Sequence, residues 1–330
     1  MTTPGYNTGG QNISGQFGMP LYGIAGCPKP FTGNYFFVDE TNGSDGNTGG
    51  PQDPLKTLSQ AHSKCTAGNN DVVFFTGSIH ITATLAWSKN NTHLIGLCDP
   101  VRRGKRARIA VTGTTAFAPL VDVTATGCWF KDFGTFYGFN SASNNTICWY
   151  EEGGRNYYDN VEFLGFGDGT ASTGTSNITG ARALKVGGIG ENTFSNCVLG
   201  VDTESRAAAN YTLEFVTGGT PAVGTPRNHF EHCFFEMYAG AATAAHILIG
   251  ADGIDRYVKF EDCIFNNAVK SGATTINQVA NLNAAIGGLI YVSKSIWLGA
   301  THWETSTTNQ CYFDAAVYDT SDPGLAANNA

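Results

Sequence analysis

The chain has 330 residues, of which 14% are charged; it holds 42 glycines, 21 phenylalanines and only three methionines, a composition unlike that of a helical protein. A formal net charge of −8 argues against bulk nucleic-acid binding, and no apolar run approaches the roughly 20 residues that cross a bilayer. The nine cysteines (27, 65, 98, 128, 148, 197, 233, 263 and 311) are odd in number, and no basic and apolar leader precedes them. Reduced thiols are therefore expected, not a disulfide framework.

Taken in chain order, residues 1–32 show neither strand nor helix periodicity and are dense in glycine. Such a segment cannot bury enough surface to fold alone. Its apolar residues, among them Tyr6, Phe17, Met19, Leu21 and Tyr22, predict an extended arm that orders against a partner chain. Residues 33–70 follow as strand, loop and short capping helix. The strand is Tyr35–Val38, and Asp53-Pro54 is expected to open the helix, with Asp as N-cap and Pro in the first turn. Leu55, Leu58, Ala61 and Cys65 give that helix one apolar face.

Residues 71–318 carry short apolar runs separated by Gly/Asn/Asp turns, and 319–330 read as a flexible tail. Within this region one phrase recurs: "YYDNVEFLG", "TFSNCVLGV", "HFEHCFFEM", "KFEDCIFNN" and "YVSKSIWLG". Its central residues, Val161, Cys197, Cys233, Cys263 and Ser295, are spaced 36, 36, 30 and 32 residues apart. A period in this range points to a stacked, all-β solenoid of roughly seven to nine coils, about 30 residues each. Equivalent residues would then form ladders about 4.8 Å apart. One ladder is Cys197, Cys233 and Cys263, another Phe194, Phe230 and Phe260, a third Leu199, Phe235 and Phe265. Asn196, His232 and Asp262 would line the turns. The cysteines are read as packing residues, because a thiol is small, apolar and commonly buried.

Three features hold residue types that carry chemistry. Arg102, Arg103, Lys105, Arg106 and Arg108 fall within seven residues and suggest a surface loop that meets an acidic partner. No aromatics are interleaved there for base stacking, so no nucleic acid is expected. His229 and His232 have metal-ligand chemistry, but strand alternation would put them on opposite faces, so no metal site is expected. Acid chemistry on glycans needs paired carboxyls. Glu231, Glu261, Asp262 and Glu236, with Arg256 or Arg227 nearby, are the residues able to supply it.

Specific stretches resemble known proteins. The run from "YFFVDETNGSDGNTGG" to "PQDPLKTLSQA" resembles the opening of right-handed parallel β-helix proteins of the pectate-lyase-like class, whose helix caps the end of the solenoid. "HLIGLCDPVRRGKRARI" and "GLIYVSKSIWLGATHWET" resemble elements of phage-encoded β-helix proteins. The resemblance implies a single right-handed parallel β-helix in a non-enzymatic virion protein of the capsid-decoration type. It further implies a homotrimer assembled in the host cytoplasm and attached to the major capsid protein, with no cofactor and no membrane partner. The alternative it leaves open is a tailspike-like lyase, hydrolase or glycan binder. In that case Glu231, Glu261, Asp262 and Arg256 would be the catalytic set and a surface glycan the partner.

Overall fold

The structure is a computed structural model that describes residues 33–98, 101–111, 117–137, 147–165, 180–206, 210–218, 223–267, 273–305, 310–314 and the backbone of 325–327. The arm and its five expected contact residues lie outside the described residues. The chain is an all-β parallel solenoid. Three sheets of eleven, eight and seven strands form its sides. A coil takes one strand from each sheet in turn, as in β2 (Asp71–Thr76), β3 (Ser78–Ile81) and β4 (Leu85–Trp87). In the seven-stranded sheet, β4 connects through five intermediate strands to β23 (Ala280–Leu282), which makes about six full turns. That is fewer than the seven to nine coils expected, because the end coils lack one or two of their sides.

The single described helix, α1 (Leu58–Lys64), closes the first coil. Its N-cap is Thr57, whose Oγ1 accepts from the Gln60 amide at 3.2 Å, and not Asp53. Asp45 explains the shift. Its carboxylate accepts from the Lys56 and Thr57 amides at 3.1 and 2.9 Å, so the "NGSD" loop pins the chain just before the helix starts. Asp53 instead holds Thr48 within that loop at 2.8 Å. Leu55, Leu58, Ala61 and Cys65 are buried over the open core, as the apolar face predicted.

The recurring phrase is a bend. β14 (Thr193–Ser195), β17 (Thr225–Glu231) and β20 (Ile254–Glu261) belong to the eleven-stranded sheet. Each is followed by one residue of positive φ and then by a strand of the eight-stranded sheet. That residue is Asp132, Asn160, Asn196, His232, Asp262 or Lys294 in successive coils, with φ between 49° and 57°. Asn, Asp and His tolerate this left-handed conformation better than most side chains, which accounts for the polar residue before the cysteine. The next residue turns inward. Cys197, Cys233 and Cys263 are buried free thiols that donate to carbonyls two residues earlier at 3.4 Å each, those of Ser195, Glu231 and Glu261. Among the described residues eight cysteines are free and none is paired.

Inside, the predicted ladders stand. Phe130, Tyr158, Phe194, Phe230 and Phe260 stack with centroids 4.8, 4.6, 4.5 and 5.1 Å apart. Phe235 and Phe265 stack at 4.4 Å, above Leu199 in register. At the far end the expected tail contributes β28 (Leu325–Ala327), antiparallel to β27 (Cys311–Asp314). A pairing of this kind covers an edge that would otherwise offer unpaired backbone groups.

Candidate functional site

Three polar arrangements lie on the solenoid. The first is on the outer face of the eleven-stranded sheet, where strand register aligns Glu231 with Glu261 on adjacent coils. Glu261 is 2.6 Å from Lys259 Nζ, 3.4 Å from His229 Nε2 and 3.8 Å from Lys294 Nζ. The Lys259 hydrogen bond, with the charges of Lys259 and Lys294, holds its carboxyl below the usual carboxylate range. Asp262 sits in the bend, 3.7 Å from His232 Nε2. His229 and His232 both face solvent, contrary to the alternation argument, because β17 ends at Glu231 and His232 already lies in the bend. Among the described residues no group of three or more His, Cys, Asp or Glu side chains is placed to hold a metal ion.

Arg256 does not join this group. It stands near the start of β20, at the corner leading in from the seven-stranded sheet, and its Nε is 3.6 Å from Asp255. Five strand steps of about 3.3 Å separate it from Glu261, roughly 16 Å. It continues a different ladder, in which Arg155 and Arg227 flank Glu191 at 2.7 and 3.0 Å. Behind that ladder lies one that the sequence reading passed over. Asn192 accepts from the Asn156 amide at 3.0 Å, and Asn228 from the Asn192 amide at 3.2 Å. These asparagines share the 36-residue period of the cysteines and precede each stacked ring by two positions, so the period itself was the signal.

The second arrangement is the basic loop between β5 (Thr92–Gly96) and β6 (Arg108–Val111). It lies along the outer face of the eight-stranded sheet and neutralises acids of its own chain. The Gly104 and Lys105 amides donate to Glu162 of β12 (Glu162–Gly165) at 2.6 and 3.2 Å. Arg103 donates to Glu236 of β18 (Phe234–Ala239) at 2.6 Å, and Arg102 to the His232 carbonyl at 2.5 Å. Lys105 is buried, its Nζ donating to the Arg102 carbonyl at 3.0 Å, and burial lowers its pKa. It is not available to a partner. Arg102, Arg103 and Arg106 remain exposed. Glu236, which the sequence grouped with Glu231, belongs to this other face; burial raises its carboxyl to about 7 against the pull of Arg103.

The third arrangement is a cleft of about 410 Å³ near the C-terminal end, bounded by a separate two-stranded sheet, β22 (Ile276–Gln278) and β26 (Ala300–His302), and by β23 of the seven-stranded side. Asn277, Gln278, Asn281, Thr243, Thr301 and His302 line it, with no carboxylate. Gln278 Oε1 accepts from the Thr305 hydroxyl at 2.6 Å, and Asn281 donates to the Tyr211 hydroxyl at 2.8 Å. None of these residues stood out in the sequence, because isolated Asn and Thr are the commonest turn residues in such a chain.

No family model matches this chain and no curated protein matches it. Solved structures do. The pectate lyase Pel9A is 15% identical, with a TM-score of 0.50 over 80% of this chain and 63% of its own. A rhamnogalacturonan lyase is also 15% identical, with a TM-score of 0.50 over 80% of this chain and 68% of its own. The chain thus spans somewhat under two thirds of Pel9A. A chain described as ORF18 of Geobacillus virus E2 is 13% identical with a TM-score of 0.40, over 92% of this chain and 63% of its own. The fold is that of the right-handed parallel β-helix, as in pectate lyase.

Proposed function

We propose that the chain is a non-enzymatic structural protein of a phage virion, a capsid decoration or cement protein held to the shell through its N-terminal arm. The observation that carries this reading is the state of the candidate acids. Glu261 is neutralised by Lys259, Asp262 pairs with His232 in a bend, Glu236 lies under the basic loop, and Arg256 occupies the opposite corner. A pair of carboxyls able to cleave a glycan must face one substrate from two sides; Glu231 and Glu261 instead stand side by side on one sheet face, and Glu236 lies on another, bound to Arg103. The phage motifs of the sequence supply the rest. A rigid solenoid presents the arm, and several arms of a homotrimer bind with an avidity that one arm lacks.

Removing residues 1–32, the arm with Tyr6, Phe17, Met19, Leu21 and Tyr22, is expected to leave a folded solenoid that no longer joins particles. Undiminished attachment contradicts the arm's role. A second reading, a tailspike-like glycan-binding or glycan-degrading protein, is favoured by the neutral cleft lined by amides and hydroxyls. Under that reading, alanine at Glu231 and Glu261 abolishes glycan cleavage with the melting temperature nearly unchanged.

A further inference from the structure

The cleft beside β22 and β26 differs in chemistry from the other polar surfaces. On those, acids and bases of the chain neutralise one another, as at Glu261, Glu191 and Glu236. Among the described residues that line the cleft there is no Lys, Arg, Asp or Glu. Two of its amides are oriented from behind. Gln278 Oε1 accepts from the Thr305 amide at 3.1 Å and from the Thr305 hydroxyl at 2.6 Å. A backbone N–H can only donate, so the oxygen of Gln278 is the atom that faces Thr305. Its NH2 group, on the other branch of the planar amide, points away with two donors. Asn281 is set in the opposite sense. Its Nδ2 donates to the Tyr211 hydroxyl at 2.8 Å, and its Oδ1 is left as an acceptor. Tyr211 is held in turn by the Arg182 guanidinium, 4.6 Å from the ring centre and 3.1 Å from Glu214. Strand register puts His302 beside Gln278, and the exposed Thr243 and Thr301 add hydroxyls.

We infer that this cleft binds an uncharged saccharide, with Gln278 as a preset donor and Asn281 as a preset acceptor. Every sugar hydroxyl both donates and accepts, so hydroxyls of one ring or of two neighbouring rings satisfy both groups. An anionic ligand meets no cation in the lining, and a cationic one no carboxylate. An apolar ligand would strip water from amides and hydroxyls without replacing its hydrogen bonds. The cleft's 410 Å³ falls within the roughly 300–1,000 Å³ of small-ligand sites. Fixing the two amides in advance lowers the ordering cost of binding. Its lining offers no ring for stacking beyond the His302 imidazole, so one sugar binds with millimolar affinity, and several copies of the chain together bind more tightly. With no acid in the lining, the cleft holds a glycan without cutting it. The inference rests on the glycan-binding reading, which it narrows to a ligand class and a place, and it is compatible with attachment through the arm.

The test is saturation-transfer NMR on the full chain. The probes are the methyl glycosides of glucose, galactose, mannose, rhamnose, fucose and N-acetylglucosamine, with methyl galacturonate as the anionic comparison. At least one neutral glycoside is expected to bind in the millimolar range, and the galacturonate about tenfold more weakly or not at all. Gln278→Glu keeps an oxygen for Thr305 but loses both donors, and is expected to weaken binding about tenfold. Thr305→Val, at an exposed position, frees the Gln278 side chain and is expected to weaken it several-fold. Both variants are expected to keep the parent's melting temperature. Undiminished binding in both overturns the cleft as the site. If binding is then lost in Glu231→Ala, Glu261→Ala, the glycan reading survives on the eleven-stranded face. Tighter binding of the galacturonate overturns the uncharged class. No binding of any probe overturns the inference and the glycan reading together.

Discussion

Glu151 is the carboxyl whose environment makes the sharpest prediction. It lies in β10 (Ile147–Glu151), is fully buried, and accepts from Asn156 Nδ2 at 2.9 Å and from the Tyr158 hydroxyl. Tyr158 in turn accepts from Trp149 Nε1 at 3.2 Å, so the carboxyl ends a chain of ring donors inside the core. Burial pushes its pKa from 4.5 up to about 8, outweighing the two hydrogen bonds that favour the anion. Between those two values the folded protein holds a proton that the unfolded chain has released. The stability tied to that proton is complete below pH 4.5 and is lost as the pH rises towards 8. The slope is at most about 1.4 kcal/mol per pH unit. Glu151→Gln removes the titration; its oxygen keeps the bond from Asn156, and its NH2 donates towards Tyr158 as the protonated carboxyl does. Urea unfolding of parent and variant at pH 5, 6, 7 and 8, followed by tryptophan fluorescence, gives the difference directly. The variant is expected to gain on the parent by a few kcal/mol across this range. A difference that stays constant with pH shows that Glu151 is already ionised in the folded protein at pH 5, and refutes the reasoning.

Other outcomes follow from the ladders and the basic loop. Phe230→Ala removes a ring stacked 4.5 Å from Phe194 and 5.1 Å from Phe260, and is expected to cost about 3–5 kcal/mol in urea unfolding. Ile296→Ala, at a site 53% exposed, should stay within about 0.5 kcal/mol of the parent. Asn192→Ala leaves the buried Asn156 amide without its acceptor, a loss of about 1–3 kcal/mol. Arg103→Ala strands the buried Glu236 carboxylate; a cost of about 1–2 kcal/mol, partly recovered by adding Glu236→Gln, is expected. Among the described cysteines a thiol reagent should reach the half-buried Cys98 first, and label Cys197, Cys233 and Cys263 only on unfolding. Fast labelling of those three in the native protein contradicts the packing role.

Much of the fold was legible because a solenoid repeats its constraints at fixed intervals. The phrase around Cys233 already encoded an inward ring, a left-handed turn residue and an inward thiol, and all three recur where the period placed them. The helix cap was misplaced because Asp53-Pro54 is a strong local cap signal. The deciding contact was Asp45 reaching across 12 residues to Thr57, which no local pattern displays. The basic loop was read as an outward contact because five cations in seven residues look solvated. Its acids, Glu162 and Glu236, are 58 and 133 residues away along the chain, brought near only by coiling. Stacking likewise set Glu231 beside Glu261 as expected, but moved Arg256 to the opposite corner, since β20 runs eight residues between the two bends.

The most direct test of the virion reading is the copy number of this chain in purified particles, relative to the major shell protein, by quantitative mass spectrometry. A decoration protein is expected in hundreds of copies. A few copies would move it to the tail and favour the glycan reading, and its absence from particles would contradict the structural role altogether.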